Sequence, residues 1–416
     1  MAYQPKYARK PQAPTPQPQR QKKVPPRPSR GQRVLSVVLG VLLIPASVFA
    51  GVLLLRQMLT TVGRPKVSAP AAMGNSSLRE DFDSYLLSQM EQARQGLQTV
   101  DKPDLPEPTV PRQHYTIADD TQVAPEPDQS KFGKTGDAAQ LNKLLEDAAW
   151  LLGDDPMYFS PEGTRYDNEP VQYYLDDSIF AVTWREVHDG SVYTFSEVKL
   201  ADPSQFRRHL AGGEYGSEMQ YLTTEMAASV NAVVASAGDF YRFRDFGAVV
   251  YEGVARRVEG TYAETCYIDR QGDMHFTYGG DVTTVEQVQA FVDEHDINFS
   301  LAFGPVLVDD YQLVEHTWYG VGEITEGYAR AALCQMAPLH YIVAAANTTG
   351  AYQDIPTVAN FAKHIAATGC RMAYCLDGGQ TATIVMNDAL INRPVYGQQR
   401  KISDIIYFAT AVPEGG

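Results

Sequence analysis

The clearest hydrophobic pattern in the chain is an unbroken run near the N-terminus. Residues 34–55 are 22 consecutive positions without a charged side chain. At about 1.5 Å per residue, a helix of this length spans roughly 33 Å, close to the ~30 Å hydrocarbon core of a bilayer. Nine Lys or Arg residues and no acidic residue precede the run, which predicts a cytoplasmic N-terminus. We therefore expect a single-pass membrane protein whose larger part lies outside the cytoplasm.

A cleaved signal peptide is the alternative interpretation of this run. Val48-Phe49-Ala50 is a weak small-residue cleavage signal. The apolar core of a signal peptide is usually about 7–15 residues long, whereas this run continues to Leu55, so the anchor is favoured. The preceding basic segment, residues 1–33, is rich in Pro and Gln and is expected to be disordered. The lipid bilayer is thus an expected partner, through residues 34–55.

Polar and Pro-rich sequence separates this run from the part expected to fold. Apolar residues at loose helical spacing in residues 79–100 predict a stalk helix. Residues 103–128 are rich in Pro and acidic residues and predict an extended spacer. Leucines at helical spacing in residues 137–152 predict the first helix of the domain. We therefore expect a stalk and spacer over residues 56–130 and a domain over residues 131–416.

Short apolar segments in the second half of the chain alternate with turn-forming sequence. Ser191–Leu200 and Gly247–Tyr251 have the composition of strands, and residues 269–273 predict a turn between two strands. No internal repeat or heptad pattern is present. Together with the amphipathic segments, this pattern predicts the α+β class: a mixed β-sheet with flanking helices that ends in a βαβ unit and a hairpin.

The βαβ unit is the best-defined prediction. Residues 339–346 and 372–376 predict two buried strands, and residues 357–368 between them predict an amphipathic helix. A right-handed crossover makes the two strands parallel, so the residues that follow them, 347–349 and 377–379, meet at one edge of the sheet. The carboxyl ends of parallel strands are where open sheets bind ligands. This edge is therefore the first candidate for a site.

Charge limits the classes of partner. Without the nine cations of the N-terminal segment, the formal charge of −15 becomes −24 on residues 34–416. Such an acidic segment argues against nucleic acid, or an anionic polymer surface, as the main partner. A local basic pocket is still compatible with this charge.

Cysteines and histidines do not form a recognised metal motif. Cys266, Cys334, Cys370 and Cys375 match no zinc spacing, and either buried thiols or one or two disulfides fit their positions. His316 lies in a predicted loop and is expected to be solvated. No cofactor is indicated, although a divalent metal stays an open alternative.

The turn Asp377-Gly378-Gly379-Gln380-Thr381 carries the strongest chemical signal. Its two glycines allow backbone N–H groups to approach a ligand closely and to form an anion-binding concavity. Taken alone, Asp-Gly-Gly also fits an ordinary turn. A predicted hairpin follows at residues 382–390, and Asn392-Arg393-Pro394 ends its second strand.

This C-terminal segment resembles a known family. Leu376–Gly379, Thr381–Thr383 and Asn392–Pro394 are similar to the Leu-Asp-Gly-Gly, small-hydroxyl and Asn-Arg-Pro elements of the phosphodiester glycosidase family. Its best-known members remove the N-acetylglucosamine that caps mannose 6-phosphate on lysosomal enzymes. Bacterial relatives are commonly linked to exopolysaccharides or other envelope glycans.

The resemblance extends more weakly toward the N-terminus. Phe303–Val308 resembles the family's Gly-Pro-x-Leu strand, and residues 233–241 resemble its Asn-Gly-Asp/Gly-Phe-Phe segment. In total it covers roughly residues 220–412. Two departures stand out: Ala237 where the family usually has Asn, and Asn347 where many members have Asp. Either departure could alter specificity or remove catalysis.

The resemblance implies a hydrolase that cleaves the glycosidic bond of a sugar-1-phosphodiester in an envelope glycan or exopolysaccharide. Asp377 is the candidate catalytic carboxylate, with Asp239 as a second. A phosphate leaving group is a weak base, so the site needs cations and N–H donors more than an acid. The candidate ligands of sugar or phosphate oxygens are Gly378, Gly379, Thr381, Arg330, Asn347, Asn392 and Arg393.

Two interpretations from other classes remain open. One is a non-catalytic glycan-binding or scaffolding ectodomain on the same fold, which the departures at Ala237 and Asn347 favour. The other is a protein-interaction module assembled through the stalk helix. Each candidate residue also has a structural alternative, such as a turn cap for Asp239 or a hairpin end for Arg393.

Overall fold

The structure describes most of the chain from Gln98 to Pro413. The computed structural model describes residues 98–99, 115–117, 123–239, 241–320, 324–348 and 355–413. In these ranges no helix is both long and apolar enough to cross a bilayer. The predicted span, residues 34–55, and the predicted basic tail lie outside the described residues.

Strands dominate the described residues. In chain order the strands are β1 Gln98–Thr99, β2 Tyr115–Thr116, β3 Phe132–Thr135, β4 Val171–Leu175, β5 Ile179–His188, β6 Ser191–Leu200, β7 Phe206–Leu210, β8 Val234–Ala237, β9 Gly247–Tyr251, β10 Val254–Glu259, β11 Thr265–Asp269, β12 Met274–Thr277, β13 Ile297–Leu301, β14 Val306–Asp309, β15 Gln312–Leu313, β16 Arg330–Ala337, β17 His340–Thr348, β18 Met372–Leu376, β19 Ile384–Met386, β20 Ala389–Leu390, β21 Asp404–Phe408 and β22 Val412–Pro413. The α-helices are α1 Ala138–Leu152, α2 Thr223–Ser229, α3 Val285–His295 and α4 Val358–Ala366.

The largest sheet has ten strands in the order β1-β15-β14-β18-β16-β17-β6-β5-β4-β3, and a second has five in the order β20-β19-β8-β21-β7. Smaller sheets are formed by β12-β11-β13, β10-β9 and β2-β22. The α+β class is confirmed. The sheets are not mixed, however, because every strand pairing in the described ranges is antiparallel.

The helix α4 shows how sequence pattern produces the packing. Its apolar residues Val358, Phe361, Ala362 and Ile365 follow helical spacing and are buried against one face of the ten-stranded sheet. Thr357 caps the helix, since its hydroxyl accepts a hydrogen bond of 3.2 Å from the Asn360 N–H. The opposite face of the sheet shares a core cluster with the five-stranded sheet. The central strands are therefore covered on both sides.

The predicted βαβ unit is present with one strand inserted. β17 and β18 do not pair with each other, because β16 lies between them and is antiparallel to both. Two antiparallel steps leave β17 and β18 parallel, so both end at the same edge, as predicted. The predicted C-terminal hairpin corresponds to β19 and β20.

Two short strands lie in the segment predicted as stalk and spacer. β1 pairs with β15, so the helix prediction for residues 79–100 is wrong at Gln98 and Thr99. β2 pairs with β22, and Tyr115 and Ile117 are buried. The sheets therefore recruit strands from before residue 131.

The structure decides two interpretations of the sequence, one for the cysteines and one for His316. All four cysteines are buried free thiols, which selects that alternative over disulfides. The prediction that His316 is solvated is wrong: its side chain is 3% exposed and its Nε2 lies 2.8 Å from the Val306 carbonyl oxygen. The predicted loop folds back onto β14 rather than into solvent.

Candidate active site

The predicted edge brings Asp377 and Arg330 together. In the ladder between β16 and β18, Ala331 faces Leu376, so Arg330 and Asp377 lie at the same end of neighbouring strands. The turn after β18 packs closely here, since a Cβ on Gly378 would overlap the carbonyl oxygen of Ala329. Only glycine allows this approach of the two backbones.

Asp377 is nearly buried and is held from two sides. Its Oδ1 accepts a hydrogen bond of 2.9 Å from the Gly378 N–H, and its Oδ2 accepts one of 2.7 Å from Arg400 Nη2. Burial raises the pKa of Asp377 to about 6, although the Arg400 cation, the nearby Thr381 hydroxyl and the Gly378 N–H lower it. The negative charge of Asp239 adds a smaller rise. The carboxyl group can therefore exchange a proton near neutral pH.

The predicted donors of the turn already have partners. The Gly378 N–H donates to Asp377, and the Gly379 N–H donates to the Ala329 carbonyl oxygen at 2.8 Å. The Thr381 hydroxyl donates to the Gly378 carbonyl oxygen at 2.6 Å. In this conformation the three groups shape the turn around Asp377, and their predicted role as substrate ligands stays a prediction.

Asn347 and Asn392 join the end of β17 to the C-terminal hairpin. Asn392 Nδ2 donates to Asn347 Oδ1 at 2.7 Å and to the Ala382 carbonyl oxygen at 2.7 Å. Asn392 Oδ1 accepts from the Ile384 N–H at 2.8 Å, which fixes the orientation of the amide. Asn347 is 2% exposed, and its Nδ2 has no hydrogen-bond partner among the described residues. A buried amide donor therefore lies at the predicted edge.

Three arginines differ in their relation to the site. Arg330 is buried at the start of β16; it donates to the Glu326 carbonyl oxygen at 2.9 Å and lies over the Tyr328 ring. Arg393 is exposed, and no ion pair to it is found in the described ranges. Arg400, which sequence reasoning missed, is the arginine that contacts Asp377. It lies inside the segment that carried the family resemblance, but no motif marks it.

Asp239 belongs to a buried cluster of charged residues, Arg208, Asp239 and Asp404, next to this edge of the sheet. Its Oδ1 accepts from Arg208 Nη2 at 2.8 Å and from the Tyr241 N–H at 2.9 Å, and its Oδ2 accepts from the Ala302 N–H at 2.7 Å. Its backbone is close to the site, because the Asp377 N–H faces the Gly238 carbonyl oxygen at 3.4 Å. Asp239 thus acts on Asp377 through its charge, while its own oxygens hold the cluster together.

Asp404 completes the cluster and was not among the predicted site residues. Its Oδ2 accepts from Arg208 Nε at 3.0 Å and from the Asp239 N–H at 3.2 Å. Burial raises the pKa of Asp404 to about 7, opposed by Arg208 and assisted by Asp239. A Cβ on Gly238 would overlap the Asp404 carboxylate, so glycine is required there as well. The Arg208 guanidinium therefore forms ion pairs with two buried carboxylates, Asp239 and Asp404.

The loop that carries Asn392 and Arg400 also carries an exposed aromatic side chain. Tyr396 follows Asn392 and precedes Arg400, is 73% exposed and has a φ of +61°. That backbone region disfavours residues other than glycine. In the part of the chain that is described, no group of three His, Cys, Asp or Glu side chains is arranged to hold a metal ion.

A family model matches the segment that contains most of these residues. Residues 230–409 match the family model described as phosphodiester glycosidase. This segment belongs to the phosphodiester glycosidase family. The family is one of glycosidase-type hydrolases. Its boundaries in this chain include Asp239, Asp377 and Asp404 but leave Arg208 outside.

Solved structures give more distant matches to this chain. The catalytic domain of zebrafish N-acetylglucosamine-1-phosphodiester alpha-N-acetylglucosaminidase, auto-inhibited by its pro-peptide, is 14% identical with a TM-score of 0.44, and the match covers 75% of this chain and 100% of that one. A hypothetical protein from Synechocystis is 14% identical with a TM-score of 0.45, and the match covers 60% of this chain and 64% of that one. A putative exported protein from Burkholderia pseudomallei is 12% identical with a TM-score of 0.34, covering 53% and 74%. The chain thus spans less than two thirds of the Synechocystis protein, and no curated protein matches it.

Proposed function

We propose that the domain hydrolyses the glycosidic bond of a sugar-1-phosphodiester, of the N-acetylglucosamine-1-phosphodiester type, in an envelope glycan or exopolysaccharide. The observation that carries the proposal is the setting of Asp377: a nearly buried carboxylate at a strand end, paired with Arg400, inside a phosphodiester glycosidase segment. The zebrafish enzyme is named for this class of bond.

In the proposed reaction, water adds to C1 of the sugar. The bond between C1 and the phosphate oxygen breaks, its electron pair stays on that oxygen, and the products are the free sugar and a phosphomonoester. Positive charge develops at the sugar ring in the transition state. The Asp377 carboxylate stabilises that charge or accepts the proton of the attacking water. Its pKa of about 6 keeps it mostly ionised at neutral pH while leaving it basic enough for this role.

Arginines stabilise the departing phosphate. Arg400 is partly exposed beside Asp377, and Arg393 is exposed next to Asn392 in the same loop, so both are proposed to contact the bound phosphate. Guanidinium binds phosphate oxygens in a bidentate manner. Arg330 adds positive charge at the edge of the sheet. Because the phosphate is a weak base, the step needs no strong general acid.

Asparagines orient the sugar. Asn347 Nδ2 is the donor available for a sugar hydroxyl, and Asn392 holds the Asn347 amide in the orientation that directs this donor outward from their shared hydrogen bond. Asp239 is proposed to tune Asp377 through charge. Gly378, Gly379 and Thr381 keep the carboxylate in place and become oxygen donors if the turn opens on binding.

A second candidate function is glycan binding without turnover. Ala237, where the family usually has Asn, is a buried residue at the end of β8, one residue before Gly238. The missing amide would remove a possible oxygen ligand next to the charge cluster. The two candidates differ in one observable, the release of free sugar.

The test compares full-length protein, purified in mild detergent, with two single-residue variants. The substrates are the methyl diester of N-acetylglucosamine-1-phosphate and UDP-N-acetylglucosamine, and the readout is free N-acetylglucosamine. Asp377→Asn should lower the rate at least about 100-fold, a loss typical of removing a transition-state charge stabiliser. Asp388→Asn is the matched control, because Asp388 is an exposed carboxylate in the neighbouring hairpin turn. Sugar release by the wild type no faster than by Asp377→Asn would contradict the enzyme proposal.

We also propose that residues 34–55 anchor the chain in the cell membrane, with the N-terminus in the cytoplasm and the domain outside. The support is the uncharged run and the basic segment before it. Alkaline extraction should leave the chain in the membrane pellet, and protease added to intact cells should digest a C-terminal tag. Recovery of the chain in the supernatant would overturn the anchor.

A further inference from the structure

An exposed tyrosine precedes the first residue of β16, at the edge of the sheet that carries the candidate site. Tyr328 is 45% exposed, although Ala329 and Arg330, which follow it in the chain, are buried. Single exposed aromatic side chains are common on protein surfaces and need no explanation by themselves. The position and the neighbours of this ring therefore decide what it can do.

The register of β16 and β18 places Tyr328 next to Asp377. Arg330 and Asp377 lie opposite each other where the paired residues of the two strands end. Beyond this point the segments stay in contact, because the Gly379 N–H donates to the Ala329 carbonyl oxygen at 2.8 Å. Paired strands lie about 4.8 Å apart, and two residues along a strand span about 6.6 Å. The Cα atoms of Tyr328 and Asp377 are therefore roughly 8 Å apart.

The Tyr328 ring lies on the same side of the sheet as Asp377. Opposite residues of neighbouring strands share one side of a sheet, which places Arg330 and Asp377 together. Burial raises the pKa of the Cys375 thiol, while the Arg330 cation lowers it and the Asp377 charge raises it, so both charges lie close to this thiol. Arg330 Cζ in turn lies 5.3 Å from the centre of the Tyr328 ring. The ring is thus joined to the candidate site through the arginine.

Arg330 also fixes the orientation of the ring. Its Nη2 donates to the Glu326 carbonyl oxygen at 2.9 Å, which holds the guanidinium in place. The Tyr328 backbone is held as well, since its N–H donates to the Pro356 carbonyl oxygen at 3.3 Å. The guanidinium covers one face of the ring in a cation–π contact, so the exposed area of the side chain lies on the other face and the edge. A ring that is already oriented loses little conformational freedom when a ligand packs against it.

We propose that the exposed face of Tyr328 binds the pyranose ring of the sugar whose bond to phosphate is cleaved. The inference deepens the proposed function and rests on it. A pyranose such as N-acetylglucosamine carries its polar groups around the rim and C–H groups on its faces, so a flat aromatic ring packs against one face. Because Tyr328 and Asp377 lie on one side of the sheet, roughly 8 Å apart, a single sugar contacts both. Tyr328 is thus a specificity-determining residue of the proposed reaction.

The kinetic test uses full-length protein, purified in mild detergent, and the methyl diester of N-acetylglucosamine-1-phosphate. Tyr328→Ala should raise KM about tenfold, with kcat within about twofold of the wild type. Tyr328→Leu keeps an apolar side chain but no flat face and should behave like Tyr328→Ala, whereas Tyr328→Phe should keep the KM. Tyr166→Ala is the matched control, because the Tyr166 ring also lies under an arginine, Arg185, at 5.4 Å. Arg185 is on β5, four strands from β18.

A second measurement separates contact with the sugar from an effect through Arg330. Inhibition constants are determined for N-acetylglucosamine and for inorganic phosphate in the wild type and in Tyr328→Ala. The constant for N-acetylglucosamine should rise about tenfold, and the constant for phosphate should stay within about twofold. A rise for phosphate that equals or exceeds the rise for N-acetylglucosamine would show that Tyr328 acts by positioning Arg330, and it would overturn the inference. So would an unchanged KM in Tyr328→Ala, although the proposed function would then stand.

The proposed function has failed if the wild type releases no sugar from the diester. Calorimetric titration with N-acetylglucosamine-1-phosphate then decides the role of Tyr328 separately. Binding that Tyr328→Ala weakens about tenfold, and that Tyr166→Ala leaves unchanged, keeps Tyr328 as a sugar contact. Absence of binding to the wild type, or equal binding to the wild type and Tyr328→Ala, overturns it.

Discussion

Arg400 Nη2 lies 2.7 Å from Asp377 Oδ2, and this pair joins a partly exposed cation to a nearly buried carboxylate. The Arg400 charge lowers the pKa of Asp377, while burial, the larger effect, raises it to about 6. The arginine therefore controls the pH at which the proposed catalytic carboxylate is ionised. It does so from a position where it can also contact a phosphate.

Removal of Arg400 should shift the acid side of the pH profile. Arg400→Gln takes away the cation that stabilises the ionised form, so the pKa of Asp377 should rise by about one unit, the lower end of the effect expected for an adjacent charge. The measurement is kcat/KM between pH 4.5 and 8. Lys401→Gln, a change at the exposed neighbouring position, is the control. An unshifted acid limb in Arg400→Gln would show that the pair does not set the ionisation.

The direction in which kcat/KM of the wild type changes with pH can also be predicted. Because the carboxylate form of Asp377 is the active one in the proposed reaction, and its pKa is about 6, kcat/KM should fall about tenfold per pH unit below pH 6 and level off above pH 7. A group acting as the proton donor would give the opposite slope. Activity that rises steadily from pH 7 to pH 5 would exclude Asp377 as the base.

Asp404 should make folding stability depend on pH. Its pKa is raised to about 7 in the folded state, above the ordinary value of 3.8, so the folded state binds the proton more tightly than the unfolded state. The free energy of unfolding should therefore increase as the pH falls from 8 to 6, by about 1 kcal/mol from this group. Asp404→Asn should remove that increment in denaturant titrations at the two pH values. An equal pH dependence in wild type and variant would contradict the assignment.

Arg208 should be a major determinant of stability. It donates to Asp239, to Asp404 and to the Ser300 carbonyl oxygen, and its side chain is 1% exposed. Arg208→Leu leaves two buried carboxylates without a cation, for which a loss of about 3–5 kcal/mol is expected. Arg256→Leu, at an exposed arginine of β10, should change the free energy of unfolding by less than ~0.5 kcal/mol. Similar losses in the free energy of unfolding in both variants would show that the buried cluster contributes no more than an exposed arginine.

The positions of individual strands and turns could be predicted from the sequence, but which strands pair with each other could not. Residues 191–200, 247–251 and 372–376 were predicted as strands with the observed boundaries, because each is a short apolar run between turn-forming residues. The insertion of β16 between β17 and β18 depends on pairings between distant segments. Local patterns do not encode such pairings.

The same limit applies to the candidate site. Asp377 could be identified from the sequence because its turn has a distinctive local sequence. The predicted crossover also placed Asn347 correctly, at the same edge of the sheet. Arg208 and Asp404 lie 196 residues apart and meet only in the folded chain. Arg400 is one of two arginines in the loop between β20 and β21, and only its contact with Asp377 distinguishes it.

Tyr396 should separate substrate binding from stability. A tyrosine at φ +61° costs roughly 1 kcal/mol in backbone strain, and a side chain that is 73% exposed offsets little of it by burial. Strain held without burial points to a role for the ring, and because Tyr396 lies in the same loop as Asn392 and Arg400, we expect the ring to pack against the sugar. Tyr396→Gly relieves the strain but adds chain entropy to the unfolded state, so the free energy of unfolding should change by less than about 1 kcal/mol. Its KM should nevertheless rise about tenfold, equivalent to ~1.4 kcal/mol of lost contact, with kcat little changed. Tyr396→Phe keeps the ring and should keep the KM. An unchanged KM in Tyr396→Gly, measured beside an unchanged unfolding midpoint, would remove the ring from the substrate site.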